Sequence, residues 1–119
     1  MEQEALKILL IEDNPDDVDL LGRNLARLPL ARVEIETCQL LAEALKRLGE
    51  KNAKIDVILV DLGLPDSQGL DTFFKVHQLA PRTPIVVLSR EDDAWLAVQA
   101  VREGAQDYLV NGQADSEVL

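Results

Sequence analysis

The chain has 119 residues, of which 47% are apolar, so it suits one globular domain with a single modest core. Its formal net charge of −10 argues against binding nucleic acid or anionic lipid through this domain, because phosphates are repelled. The longest apolar runs fall far short of the roughly 20 residues of a membrane helix, no secretory leader opens the chain, and Cys38 is alone, so a reduced, cytoplasmic domain is expected.

Leu6–Ile11 reads as a first buried strand, ended by Glu12 and Asp13. Asn14 then offers an N-cap, Pro15 fits the first helical position, and Asp16 and Asp17 suit the positive end of a helix. Val18, Leu21, Leu25 and Leu28 recur at helical spacing, and Pro29 stops that helix. Val33, Ile35 and Thr37 alternate with Glu34 and Glu36, which predicts a half-exposed strand at a sheet edge. Leu41, Ala44, Leu45 and Leu48 predict a second helix, closed by Gly49.

Residues 57–60 are apolar without interruption, so both faces of this third strand should be buried. The strand ends on Asp61, and Gly63 and Pro65 turn the chain. Asp66, Ser67 and Gly69 predict a turn and cap before a third helix. Leu70, Phe73, Phe74 and His77 lie on or near one face of that helix, and Pro81 ends it. Residues 84–89 form a fourth strand. Asp92 and Asp93 can cap a fourth helix whose inner face is Ala94, Ala97, Val98, Val101 and Ala105. Residues 107–110 form a short fifth strand, and Gly112 turns the chain. Residues 115–117 read as the first turn of a fifth helix, stopped at Leu119, so 115–119 is expected to be a helix stub. A sheet face left open by that stub should be covered by a second copy, a rearranged tail or further residues.

Strict alternation of strand and helix with short connections implies an α/β fold, a parallel sheet with right-handed crossovers. With the first strand central, the second lies to one side and the third to the other, which opens a crevice above their carboxyl ends. Adjacent strands are about 4.8 Å apart, so Glu12, Asp13 and Asp61 should crowd one pocket. Close like charges raise one another's pKa and cost stability unless a cation neutralises them. An all-oxygen site with room for waters suits Mg²⁺, or Mn²⁺ as a substitute, and an Asp beside such an ion can act as a nucleophile toward phosphorus.

The residues at 10–14 (Leu-Ile-Glu-Asp-Asn), 60–65 (Val-Asp-Leu-Gly-Leu-Pro), 87–89 (Val-Leu-Ser) and 104–109 (Gly-Ala-Gln-Asp-Tyr-Leu) resemble, in this order and spacing, the receiver domain of two-component response regulators. The resemblance covers nearly the whole chain, leaving residues 1–5 as an N-terminal extension of a single domain. It implies a flavodoxin-like, doubly wound five-stranded sheet of order 2-1-3-4-5. It implies Asp61 as phospho-acceptor, taking its phosphoryl group from a histidine kinase or phosphotransfer protein. Asp13 would bind Mg²⁺ directly, Glu12 mostly through water, and the Gly63 carbonyl would add a ligand. Ser89 would bond a phosphoryl oxygen and swing inward, and Tyr108 would rotate with it and pass the switch to the surface that meets an output domain or a second copy. The domain would assist only its own phosphorylation and dephosphorylation, and so would not be an enzyme.

Two positions depart from the family pattern. Asn111 stands where the family has a Lys, and it brings a hydrogen bond but no charge. Arg90 follows Ser89 where the family has a small residue; it could replace the missing cation, block the site or point to solvent. A receiver-fold interaction module with impaired phosphorylation is therefore the alternative. Asp16, Asp17, Asp92 and Asp93 read as caps, His77 as a rim or core side chain, and Trp95 and Tyr108 as packing aromatics unless Tyr108 switches. An aspartate-based phosphatase would need a second acid where Gly63 stands, and a flavin domain would need a Ser/Thr/Gly-rich loop after the first strand.

Overall fold

The computed structural model describes residues 5–27, 32–90 and 94–111. In chain order the elements are β1 (Leu6–Ile11), α1 (Pro15–Ala26), β2 (Val33–Cys38), α2 (Leu41–Leu48), β3 (Val57–Asp61), β4 (Gly63–Leu64), β5 (Ser67–Gln68), α3 (Leu70–Leu79), β6 (Ile85–Arg90), α4 (Ala94–Arg102) and β7 (Asp107–Asn111). Five strands form one parallel sheet in the order β2-β1-β3-β6-β7, the flavodoxin-like order 2-1-3-4-5 when its strands alone are counted. β4 and β5 pair separately as a small antiparallel hairpin.

Side chains alternate across the pleat, so each central strand feeds two cores. Leu9, Ile11, Ile58, Val60 and Val87 pack with Leu41 and Ala44 of α2, Phe73 and Val76 of α3, and Ala97 and Ala100 of α4. Ile8, Leu10, Leu59 and Leu88 face the other way, against Val18, Leu21 and Leu25 of α1. β2 lies at a sheet edge, as its alternation predicts. Its glutamates are half-buried because cations cover them: Glu34 pairs with Lys7 and Arg32, and Glu36 with Arg47 of α2 at 2.6 Å.

Helix ends follow local chemistry in α1, where Asn14 Oδ1 accepts from the Asp16 N–H at 2.9 Å and Pro15 opens the helix. α3 stops at Leu79 with Ala80 (φ −131°, ψ 61°) outside the helical region before Pro81, since a residue preceding proline is pushed out of that region.

Three expectations are corrected. Asp66 does not cap the helix that follows it. Its carboxylate accepts the N–H groups of Leu41 and Ala42 at 2.8 and 2.9 Å, capping α2 across the molecule, while Gly69 (φ 75°) opens α3 with no side-chain cap. Phe74 is 42% exposed, because the buried arc of α3 runs through Thr72, Phe73 and Val76 instead. The inner seam of α4 is Ala97 and Ala100, with Val101 turned outward and Ala105 buried beyond the helix end. The stop at Pro29, the caps at Asp92 and Asp93, the turn at Gly112, the stub at 115–119 and the side chain of Asn111 lie outside the described residues.

Candidate functional site

β1 and β3 are in register with Ile11 opposite Val60, which brings the next residues, Glu12 and Asp61, side by side at the carboxyl edge of the sheet. Glu12 is fixed there by its own N–H, which donates to the Cys38 carbonyl at 2.9 Å. Asp13 follows and begins the turn into α1. One carboxylate oxygen from each of Glu12, Asp13 and Asp61 can be chosen so that all three lie within 4.8 Å of one another. The three acids line a cleft of about 570 Å³ with Asn14, Asp16, Asp17 and Arg90. Asp16 and Asp17, read as helix-start acids, also add negative charge to this cleft.

Glu12 is almost fully buried, and burial pushes its carboxyl up from 4.5 to about 8, helped by its hydrogen bond with Asp61 and by that residue's charge. The Asn14 N–H, 3.2 Å from Glu12 Oε2, acts in the opposite direction. Asp61 is also raised, first by burial and then by Asp13; the bonds from Glu12 and from the Gly63 N–H (2.8 Å) and the charge of Arg90 oppose the rise. Burial is the larger cause and crowding of the acids the smaller, and a proton shared by Glu12 and Asp61 relieves charge that a cation would otherwise neutralise. An all-oxygen donor set with this excess charge fits Mg²⁺ or Mn²⁺.

A second chamber, of about 160 Å³, opens on Asp61 and is lined by Leu62, Gly63, Gln68, Ser89 and Arg90. Ser89 is 2% exposed, and its hydroxyl has no hydrogen-bond partner among the described residues. Arg90 is exposed, borders both cavities, and its charge lowers the Asp61 carboxyl. Tyr108 pairs with Val87 across β6 and β7 and is half-buried against the main core. Asn111 is opposite Arg90 in the β6–β7 register. His77 stacks on Phe73 with ring centroids 5.3 Å apart and abuts Gly104, lining neither cavity. Gln68 is the site residue that sequence reasoning did not reach.

Residues 8–119 match the sequence profile of the response regulator receiver domain. This chain belongs to the response regulator receiver family. It is 32% identical to the response regulator protein PilR of Pseudomonas aeruginosa over 87% of this chain and 22% of that protein. It is 31% identical to the transcriptional regulatory protein CitT of Halalkalibacterium halodurans, over 95% of this chain and 48% of that one. A two-component response regulator of Arabidopsis thaliana is 29% identical over 89% of the chain and 20% of its own length, so similar domains occur in plants too. The receiver thus spans half or less of these relatives. Among solved structures, the phosphorylated cyanobacterial phytochrome response regulator RcpA superposes with a TM-score of 0.74 at 28% identity, over 97% of this chain and 86% of RcpA. A receiver domain protein from Clostridium thermocellum gives 0.75 at 26% identity, over 89% and 82%. Among the described residues no helix is long and apolar enough to cross a membrane.

Proposed function

We propose that this receiver accepts a phosphoryl group on Asp61 from the phosphohistidine of a kinase or phosphotransfer protein. The observation that carries the reading is the convergence of Glu12, Asp13 and Asp61 within 4.8 Å at the carboxyl edge of the sheet. Glu12, Asp13, Asp61 and the Gly63 carbonyl would hold the divalent cation, whose charge would neutralise the acids and the incoming phosphoryl oxygens. Asp61 Oδ bonds to phosphorus as the bond from phosphorus to the imidazole nitrogen breaks, and that electron pair leaves with the imidazole. Ser89, whose buried hydroxyl lacks a partner among the described residues, then donates to a phosphoryl oxygen. Arg90 supplies the positive charge that Asn111 cannot. RcpA, a relative of the same fold, is known in a phosphorylated form, which supports the reading.

Inward movement of Ser89 would let Tyr108 on the neighbouring strand follow, altering the surface of α4 and β7 that meets an output domain or a second copy. The domain carries phosphate and assists its own turnover; it is not an enzyme acting on other substrates. The second reading, an interaction module with impaired phosphorylation, draws on Asn111. Incubation with acetyl phosphate and Mg²⁺ followed by intact-mass measurement separates the two. Wild type should gain the mass of one phosphoryl group and Asp61→Asn none. A wild type that gains nothing favours the interaction module.

A further inference from the structure

We propose that Gln68 sets how long a phosphoryl group stays on Asp61, by positioning the water that hydrolyses it. The inference rests on the reading of Asp61 as acceptor.

Gly63, two residues after the acceptor, has no side chain; a Cβ there would sit 3.7 Å from Asp61 Oδ1, so this position borders the acceptor oxygen and is left open. Gln68 is directly opposite Gly63 in the β4–β5 hairpin, and cross-strand neighbours have Cβ positions about 5 Å apart. Gln68 accordingly lines the second chamber with Asp61, Ser89 and Arg90. That chamber, about 160 Å³, has room for a small group and a water, whose share of liquid volume is about 30 Å³.

The Gln68 amide nitrogen donates to the Leu64 carbonyl at 3.1 Å. Its amide oxygen has no donor among the described residues and is the acceptor the side chain can offer the chamber. The hairpin beneath it is held at three points. Leu64 is 1% exposed, the Ser67 hydroxyl shares a 2.7 Å hydrogen bond with Thr72, and Asp66 is fixed to the first turn of α2. Ser89 and Arg90 are donors suited to phosphoryl oxygens, which leaves Gln68 as the neutral acceptor for a water proton. In hydrolysis the water oxygen bonds to phosphorus as the bond to Asp61 Oδ breaks. The carboxylate leaves with that electron pair, and the surplus water proton passes to the released phosphate. Gln68 exchanges no proton; it orients the water without adding charge that would repel the phosphoryl group.

The whole chain is loaded with acetyl phosphate and Mg²⁺, freed of donor by desalting, and followed by intact mass over time. Gln68→Met and Gln68→Ala should each lengthen the adduct lifetime about five-fold, the effect of one neutral hydrogen bond, with the melting midpoint unchanged. Gln68→Glu, which keeps an acceptor oxygen, should hydrolyse faster than the Met and Ala variants. Hydrolysis at the wild-type rate or faster in the Met and Ala variants overturns the role of Gln68 and leaves Asp61 as acceptor intact. A wild type with no adduct on Asp61 removes both readings together.

Discussion

Glu12 and Asp61 each hold a proton more tightly than an isolated carboxylate, first because both are withdrawn from water, and then because Asp61 faces Glu12 and the charge of Asp13 faces Asp61. At neutral pH Glu12 keeps its proton, so the charge whose removal relieves the folded state is that of half-buried Asp61 beside Asp13. Asp61→Asn should therefore raise the melting midpoint of the metal-free protein at neutral pH, and a lowered midpoint would show that the acids do not repel. Arg90 is the cation beside Asp61, whereas Asn111 opposite it in the register is uncharged. If Arg90 does the work of the family lysine, Arg90→Ala should cut the initial rate of adduct formation about tenfold, the loss of one charge-assisted hydrogen bond. Asn111→Lys in that background should restore it. Equal rates in all three proteins would leave the charge of Arg90 without a function in transfer.

At the scale of elements, the site is held by strands whose apolar runs are anchored in two cores. Phe73 of α3 is fully buried in the core that also holds Leu64 of the hairpin following Asp61. Phe73→Ala should cost about 3–5 kcal/mol in chemical denaturation, the usual cavity penalty; a loss below 1 kcal/mol would mean the core collapses around the gap. The acids at the strand ends were legible in the sequence because an uninterrupted apolar run ends on each: Ile11 before Glu12, and Val60 before Asp61. The α1 start was legible for the same local reason, Asn14 and Pro15 standing next to the helix they open. What could not be read depends on distant partners. Asp66 caps a helix 25 positions away in the chain, with no local mark to distinguish it from a turn acid. The β4–β5 pairs are two residues each, too short for any periodicity, so Gln68 gave no sign of facing Asp61. Phe74 sits one step from Phe73, and only the position of the sheet decides which aromatic is buried.

At the scale of the molecule, the paired acids make stability depend on pH in a definite direction. Glu12 rises from 4.5 to about 8 on folding, so the folded state binds a proton that the unfolded chain has released. Its stabilising contribution is complete below about pH 4.5 and is lost as pH climbs toward 8; the raised Asp61 acts in the same sense. Asp66, lowered from 3.8 by the α2 amides, acts oppositely and only in more acid solution. The metal-free melting midpoint should therefore fall between pH 5 and pH 8. Mg²⁺ at ten times its dissociation constant should return about 1.4 kcal/mol at the upper end, and a flat profile unchanged by Mg²⁺ would contradict a cation site among these acids. The most direct measurement brings acid cluster and acceptor together: wild-type protein is incubated with acetyl phosphate in Mg²⁺ or in EDTA, and the modified residue is mapped by peptide mass spectrometry. A phosphoryl group found on Asp61 in Mg²⁺ and absent in EDTA is the expected result. An adduct on any other residue, or one that forms equally well in EDTA, would contradict it.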